Sequence, residues 1–172
     1  MQLYIEQGYD ATTVAEIAER AGLTERTFFR HFADKREVLF SGSAQLAELL
    51  AQEVARAPKV TSPIDAVGGA LEAAGALIQE RGEWSKQRQA VIAANPELRE
   101  RELIKLASLA EALTQALRGR GVKEPSATLT AEAGVAVFKV AFTSWVEHPT
   151  KRNLPRLIRR SLDDLRTITA HR

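Results

Sequence analysis

The sequence predicts an all-α protein in which a small N-terminal helix-turn-helix domain precedes a larger helical domain. Apolar residues recur at helical steps of three and four along most of the 172 residues. No segment of useful length alternates apolar and polar residues as a half-buried strand would. Glycine and proline divide the chain into segments of helical length. We place the domain boundary at residue 40, with a helix-turn-helix domain over 1–40 and a helical bundle over 41–172.

The N-terminal elements follow from local signals. Residues 1–8 are interpreted as the last two turns of a helix whose beginning is missing. In the next helix Val14, Ile17 and Ala18 form one apolar face. Gly22 supplies the left-handed backbone that the following turn needs, and Thr24 caps a second short helix that ends near Phe32.

The remaining elements are predicted as six helices. Ser62 and Pro63 form a cap and a first helical position, as do Asn95 and Pro96. Apolar stripes at helical spacing fill the segments between these signals. The predicted helices span 35–57, 63–81, 84–94, 96–118, 125–146 and 154–168, with Pro149 marking the end of the fifth.

Composition excludes several classes of function. The chain has no cysteine and only three histidines, so disulfides, thiol chemistry and a metal site are not expected. Motifs of serine hydrolases, zinc proteases and phosphate loops are missing, so we expect no catalytic residue and no cofactor. The apolar stretch 133–146 is short and interrupted by Lys139, so no membrane partner is expected. Without a visible signal peptide, the expected location is the cytoplasm, in association with the nucleoid.

The segment GYDATTVAEIAERAGLTERTFFRHFADKREVL resembles the N-terminal domain of the tetracycline-repressor (TetR) family of bacterial transcriptional regulators. The resemblance covers about the first 40 residues and implies binding to double-stranded DNA. It rests on Gly8-Tyr9, Thr12-Thr13, Ile17-Ala18, Ala21-Gly22, Thr27, Phe28-Phe29, His31-Phe32 and Lys35.

The resemblance also implies roles for single residues of the motif. Phosphate contacts are implied for Thr13, Thr27, His31 and Lys35. Four residues on the solvent side of the second helix could reach base edges: Thr24, Glu25, Arg26 and Arg30. Among them, Arg26 is the candidate for contacting guanine. Phe29 stands where the family often has tyrosine, so an apolar contact with a thymine methyl or a sugar replaces a phosphate hydrogen bond. As alternatives, Lys35 is an ordinary surface lysine, His31 a helix C-cap and Glu25 a favourable charge at a helix N-terminus.

The net charge of the predicted DNA-binding domain does not favour DNA binding. Residues 1–40 hold five basic and seven acidic side chains, a net charge of −2. A DNA-binding domain is expected to be basic at least on one face. This leaves open a second hypothesis, a helical interaction module that no longer binds DNA.

One small helix-turn-helix makes few base contacts, so we expect the protein to bind DNA as a homodimer. Two copies related by a two-fold axis would read palindromic half-sites about 34–36 Å apart, or a multiple of that. The last two helices are the predicted interface, as the resemblance also implies, because the helix near 128–146 is apolar nearly all round. The alternative is a core helix of a monomer. The predicted interface residues are Gly134, Val137, Ala141, Leu157, Ser161 and Leu165.

The resemblance further implies a small-molecule effector that binds in the larger domain and shifts the spacing of two DNA-binding domains, as in a repressor. The candidate pocket residues are aromatic or polar, and each could instead belong to the core. They are Trp84, Gln87, Arg88, Ile92, Phe138, Phe142 and Trp145.

The C-terminal tail, 151–172, has seven basic residues and two acidic ones. These basic residues could form a second nucleic-acid site. We favour the alternative, in which they lie on the solvated outer face of the last helix.

Overall fold

A computed structural model describes residues 1–148 and 153–170, and within these ranges it contains helices and no strand, which confirms the predicted class. Pro149, Lys151, Arg152 and Arg172, which entered the predictions on the helix end and the tail, lie outside the described residues. The helices are α1 (Gln2–Glu6), α2 (Val14–Arg20), α3 (Glu25–His31), α4 (Lys35–Phe40), α5 (Ser43–Arg56), α6 (Pro63–Glu80), α7 (Gly82–Ala94), α8 (Pro96–Gly119), α9 (Ser126–Glu147) and α10 (Leu154–Ala170).

The chain forms two compact units that differ from the predicted division at residue 40. Unit 1 comprises 1–43 and 83–105, and unit 2 comprises 44–82 and 106–172. Helix α7 and the first turns of α8 therefore belong with the helix-turn-helix, because they complete its core. Ile92 and Leu98 from these helices are buried with Tyr4, Tyr9 and Leu39 in one apolar cluster.

Polar contacts also tie α4 to α7 and α8 within unit 1. Glu37 forms ion pairs with Arg101 and with Lys105, whose Nζ lies 3.0 Å from Glu37 Oε2. Arg88 Nε donates a 2.6 Å hydrogen bond to the carbonyl of Leu39. These contacts are charge-assisted and only partly exposed, so they add to the apolar burial.

The prediction of one continuous helix over 35–57 is wrong, because the helix is interrupted. A turn at Ser41 and Gly42 separates α4 from α5. Asp34 caps α4 by accepting hydrogen bonds from the backbone N–H groups of Arg36 and Glu37. The apolar spacing continues across the turn, so periodicity alone did not reveal it.

Unit 2 is built around the packing of α6, α9 and α10. Glycines allow close approach at their contacts. A Cβ on Gly134 of α9 would overlap the Val67 side chain of α6, and a Cβ on Gly75 of α6 would lie 2.7 Å from Ile158 Cδ1 of α10. These helices therefore approach more closely than larger side chains would permit.

Arg120 secures the connection between α5 and α6. Its guanidinium donates hydrogen bonds to the carbonyl groups of Val54, Ala57, Pro58 and Thr61. The terminal carbonyls of α5 have no partner within their own helix. One side chain from the end of α8 thus satisfies both this helix end and the loop after it.

Helix α9 is long and apolar enough, by length and composition alone, to cross a membrane. Core helices of soluble proteins pass the same test. A stripe of α9 is buried, and Trp145 near its end belongs to the apolar cluster of unit 2. We therefore describe α9 as a core helix.

Candidate nucleic-acid interface

The turn between α2 and α3 has the geometry expected from the sequence. Thr13 and Glu16 form a capping box at the start of α2. Gly22 has a φ of 68°, the left-handed conformation predicted for it. The Thr24 hydroxyl accepts a 3.2 Å hydrogen bond from the Thr27 N–H and so caps α3. Local residue preferences therefore account for both helices and for the turn.

Helix α3 has one buried and one exposed side. Phe28 is 2% exposed and packs against Phe32, with ring centroids 5.2 Å apart. Phe29, its neighbour in sequence, is 55% exposed. Arg26 and Arg30 are also exposed, and the Arg26 side chain has no hydrogen bond or ion pair within the described part of the chain. Two cations and an aromatic ring are thus available on this helix for a partner.

Two of the residues assigned to phosphate have hydroxyls that already make local hydrogen bonds. Thr13 Oγ1 lies 2.8 Å from Glu16 Oε2, and Thr27 Oγ1 lies 3.1 Å from Thr24 Oγ1. Three hydrogen bonds to Glu16, from the Thr13 backbone, the Thr13 side chain and Gln7, hold its pKa below the usual range. His31 is exposed, with Nε2 3.5 Å from a terminal nitrogen of Arg30.

The ammonium of Lys35, for which a phosphate contact is predicted, is occupied by hydrogen bonds within the protein. Its Nζ donates hydrogen bonds to the carbonyls of Tyr9, Asp10 and Thr12, at 2.8, 3.1 and 2.9 Å. An ammonium has three protons, so all its donors are used. The backbone carbonyl of Lys35 in turn accepts a 2.6 Å hydrogen bond from the hydroxyl of Tyr4. Lys35 therefore fixes the segment before α2 in place.

The net negative charge of residues 1–40 is not located on the exposed side of α3. Glu6 pairs with Arg20 at 3.0 Å, Asp34 with Arg36, and Glu37 with cations of α8. Glu16 belongs to the capping box. Three of the seven acidic groups are therefore paired with cations outside α3, and a fourth, Glu16, is hydrogen-bonded at the start of α2. Sequence counting missed this because most of these partners are distant in sequence.

The seven predicted effector residues are divided between the two units. Trp84, Gln87, Arg88 and Ile92 fall in unit 1, whereas Phe138, Phe142 and Trp145 fall in unit 2. Ile92 is a core residue. Arg88 donates a hydrogen bond to the Leu39 carbonyl and its guanidinium lies over the Phe40 ring. These two assignments are wrong because α7 packs in the core of unit 1.

Unit 2 contains a small apolar cavity that only Phe138 of the predicted set lines. Its volume is about 10 Å³, roughly the space of one water molecule. Phe142 stacks on Phe138 with ring centroids 5.7 Å apart. The other lining residues are Leu46, Leu50, Leu71, Ala74, Leu109 and Val135.

Three predicted dimer residues are already buried within unit 2. Gly134 contacts α6, and Val137 and Ala141 belong to the apolar cluster. They are inaccessible to a second copy because they lie on the inner side of α9. The other three, Leu157, Ser161 and Leu165, are half-buried along one line of α10.

A different set of α9 residues, also spaced at helical steps in the sequence, lies on the exposed side of the helix. Positions 129, 133, 136 and 140 recur at steps of four, three and four, and they carry Leu129, Ala133, Ala136 and Val140. Leu129 is 65% exposed and Val140 63% exposed. We call these four residues the outer stripe of α9. Helix packing of the coiled-coil type uses this spacing.

The basic C-terminal tail is partly neutralised by unit 2 itself. Arg159 pairs with Glu72, and Arg166 pairs with Asp65 and Asp163. This favours the solvated outer face over a second nucleic-acid site.

Part of the sequence is similar to curated regulators. It is 38% identical over 73 residues to the HTH-type transcriptional regulator TcmR of Streptomyces glaucescens, covering 42% of this chain and 32% of TcmR. It is 53% identical over 36 residues to the uncharacterized HTH-type transcriptional regulator YvkB of Bacillus subtilis, covering 21% of this chain and 19% of YvkB. Both matches span much less than two thirds of the relative.

Two solved structures share the fold of nearly the whole chain. PfmR, a TetR family transcriptional regulator from Thermus thermophilus, is 24% identical with a TM-score of 0.52, covering 94% of this chain and 91% of that one. FadR, a TetR family repressor from the same species that was solved with lauroyl-CoA, is 22% identical with a TM-score of 0.58, covering 100% and 92%.

Family profiles cover most of the sequence. Residues 1–41 match the family described as bacterial regulatory proteins, tetR family, and residues 61–170 match the MftR C-terminal domain. The chain belongs to the tetR family of bacterial regulatory proteins.

Proposed function

We propose that this protein is a dimeric transcriptional repressor that binds palindromic operator DNA through α3 and releases it when a small apolar effector binds to unit 2. As predicted, regulators of this family are not enzymes. They are cytoplasmic proteins, and we place this one on the nucleoid because DNA is its proposed partner.

The exposed side of α3 is the observation that carries the proposal. Arg26 and Arg30 are available as cations, and arginine can form two hydrogen bonds with the O6 and N7 atoms of guanine. Thr24 and Glu25 are exposed on the first turn of the same helix. Thr13, Thr27 and His31 are retained as phosphate contacts, because phosphate contacts fix the orientation of a recognition helix. Lys35 is not retained.

Dimerisation through α9 and α10 is supported by exposed apolar side chains. The outer stripe of α9 is one contribution, and the exposed Ile168 of α10, together with the half-buried Leu157, Ser161 and Leu165, is the other. Ile168 is 72% exposed. Apolar side chains at helical spacing on the surface of a soluble protein favour burial against a partner helix.

The proposed effector is a small molecule with an apolar group, bound at the cavity beside Phe138. The lining is entirely apolar, and the structurally similar FadR was solved with lauroyl-CoA. The cavity is too small for such a group as it stands, so the effector must bind a rearranged state of unit 2. Its preference for that state sets how far it shifts the DNA-binding equilibrium.

Selection from random duplex DNA tests the proposal with the full chain. We expect enrichment of a palindrome, loss of sequence preference at one position on Arg26→Ala, and no effect of the matched control Arg118→Ala, an exposed arginine of α8. No enrichment of any sequence would reject DNA recognition by this chain.

The oligomeric state is tested separately by analytical ultracentrifugation. Val140→Glu places a charge in the outer stripe of α9, and we expect a monomer. Leu77→Glu, at a position of α6 that is 49% exposed, is the control and should remain a dimer. A wild-type monomer, or a dimeric Val140→Glu variant, would reject this interface.

A further inference from the structure

We propose that Phe29 recognises the methyl group of thymine, so that each bound α3 selects a thymine at one position of the DNA. The proposal rests on the DNA-binding function above and extends it by naming the base and the chemical group that is recognised.

The position of the Phe29 ring is the first argument. It is 55% exposed on a helix whose buried side is supplied by Phe28. The two rings meet edge to face, with centroids 5.5 Å apart and planes at 89°. Because Phe28 is almost completely buried, it gives the Phe29 ring a fixed support. The exposed face is therefore preorganised for a contact.

The charge around Phe29 identifies the kind of partner. Arg26 lies about one helical turn before it and Arg30 follows it directly, and both are exposed. An apolar protein surface would have to desolvate these guanidinium groups, at a cost in free energy. DNA compensates them with phosphate oxygens and guanine acceptors while it also offers an apolar group.

The chemistry of the side chain identifies the group within DNA. Phenylalanine has no hydrogen-bond donor or acceptor, so it cannot bond to phosphate or to the polar edges of bases. The C5-methyl group of thymine is the apolar feature of the major groove, and phenylalanine is among the side chains that contact it. Arg26 and Arg30 would then read polar base edges on either side.

Replacing thymine by deoxyuridine tests the proposal, because this removes the methyl group and keeps the base pair. Each thymine of the operator selected by the wild-type chain is replaced in turn, and affinity is measured by fluorescence anisotropy. We expect one position per half-site at which uracil weakens wild-type binding about fourfold, the effect of burying one methylene-sized group.

Variants separate this contact from a general apolar effect. Phe29→Ala should bind more weakly and should no longer distinguish thymine from uracil at that position. Phe29→Leu, which keeps an apolar side chain above Phe28, should retain part of the discrimination. Leu23→Ala, at another exposed apolar position, should retain all of it.

Two results would overturn the proposal. One is a wild-type chain that is insensitive to uracil at every position. The other is a Phe29→Ala variant that keeps the full uracil penalty, which would show that the Phe29 ring is not the group that contacts the thymine methyl. Both results can be obtained only after the selection has enriched an operator sequence. They can therefore be distinguished from failure of the proposed function, in which no sequence is enriched.

Discussion

The ammonium of Lys35 lies 4.4 Å from the centroid of the Tyr9 ring and donates a 2.8 Å hydrogen bond to the Tyr9 carbonyl. One side chain at the start of α4 thus holds the segment from Tyr9 to Thr12. The segment that it holds leads directly into α2.

Replacing Lys35 with methionine should destabilise the protein without removing a phosphate contact. Three carbonyl groups lose a charged donor, which we expect to lower the free energy of unfolding by about 1.5–3 kcal/mol. The slope of log K against log salt should stay at the wild-type value, because no phosphate contact is lost.

Urea unfolding and DNA titrations at several salt concentrations measure the two quantities. A direct phosphate contact would give the opposite pattern, with unchanged stability and a slope that falls by about 0.9. That pattern would restore the role implied by the family resemblance.

Alanine at Gly134 should destabilise unit 2, whereas alanine at Gly69 should stabilise it. A Cβ on Gly134 overlaps Val67, and overpacking of this kind costs about 1–3 kcal/mol. A Cβ on Gly69, an exposed residue of α6, meets nothing within 4 Å. Alanine is favoured over glycine within a helix by about 0.5–1 kcal/mol.

Chemical denaturation of the two variants gives the comparison directly. Equal stability of Gly134→Ala and the wild type would mean that α6 and α9 do not pack as closely as described. Gly134 would then be available to a second copy after all.

Replacing Arg120 with lysine should destabilise the protein. The guanidinium reaches four carbonyl groups at the end of α5 and in the following loop, whereas an ammonium has only three donors on a single atom. We expect a loss of about 1–3 kcal/mol, since at least one carbonyl is left without its partner.

Amide hydrogen exchange locates this effect. Exchange should become faster at 54–61 in Arg120→Lys and remain unchanged there in Arg118→Lys, a control at an exposed position in the last turn of α8. Unchanged exchange in both variants would show that the four hydrogen bonds do not stabilise the loop.

Local signals allowed the helix-turn-helix to be predicted from sequence. Thr24 and Gly22 act through their own backbone neighbours, so a single sequence is sufficient to place the turn and the cap. The break before α5 was missed, although Gly42 marked it, because apolar spacing continues through it.

The remaining errors concern tertiary contacts. The partners of Lys35 lie 23 to 26 residues away, and no local pattern indicates them. Helix α7 has no pronounced apolar face, so its sequence did not show that Ile92 and Arg88 join the core of unit 1. On α9, apolar residues on both sides concealed which side faces inward.

The Glu37 ion pairs should make stability depend on pH in the acidic range. Burial raises the pKa of Glu37, but hydrogen bonds and charges from Lys105 and Arg101 outweigh it and hold the pKa below its ordinary value of 4.5. A carboxyl group with a lowered pKa in the folded state stabilises the protein above its unfolded pKa. This contribution is lost as the pH falls from about 4.5 through the lowered folded value.

Glu37→Gln should therefore reduce the free energy of unfolding at pH 7 by about 1.5–3 kcal/mol, since two charged hydrogen bonds are lost. Between pH 5 and 3 its stability should fall less steeply than that of the wild type. Urea unfolding across this range measures both effects, with Glu100→Gln, at an exposed position of α8, as the control. Parallel pH profiles for the wild type and Glu37→Gln would show that these ion pairs do not hold α4 against α8, because a group with the same pKa in both states contributes no pH dependence.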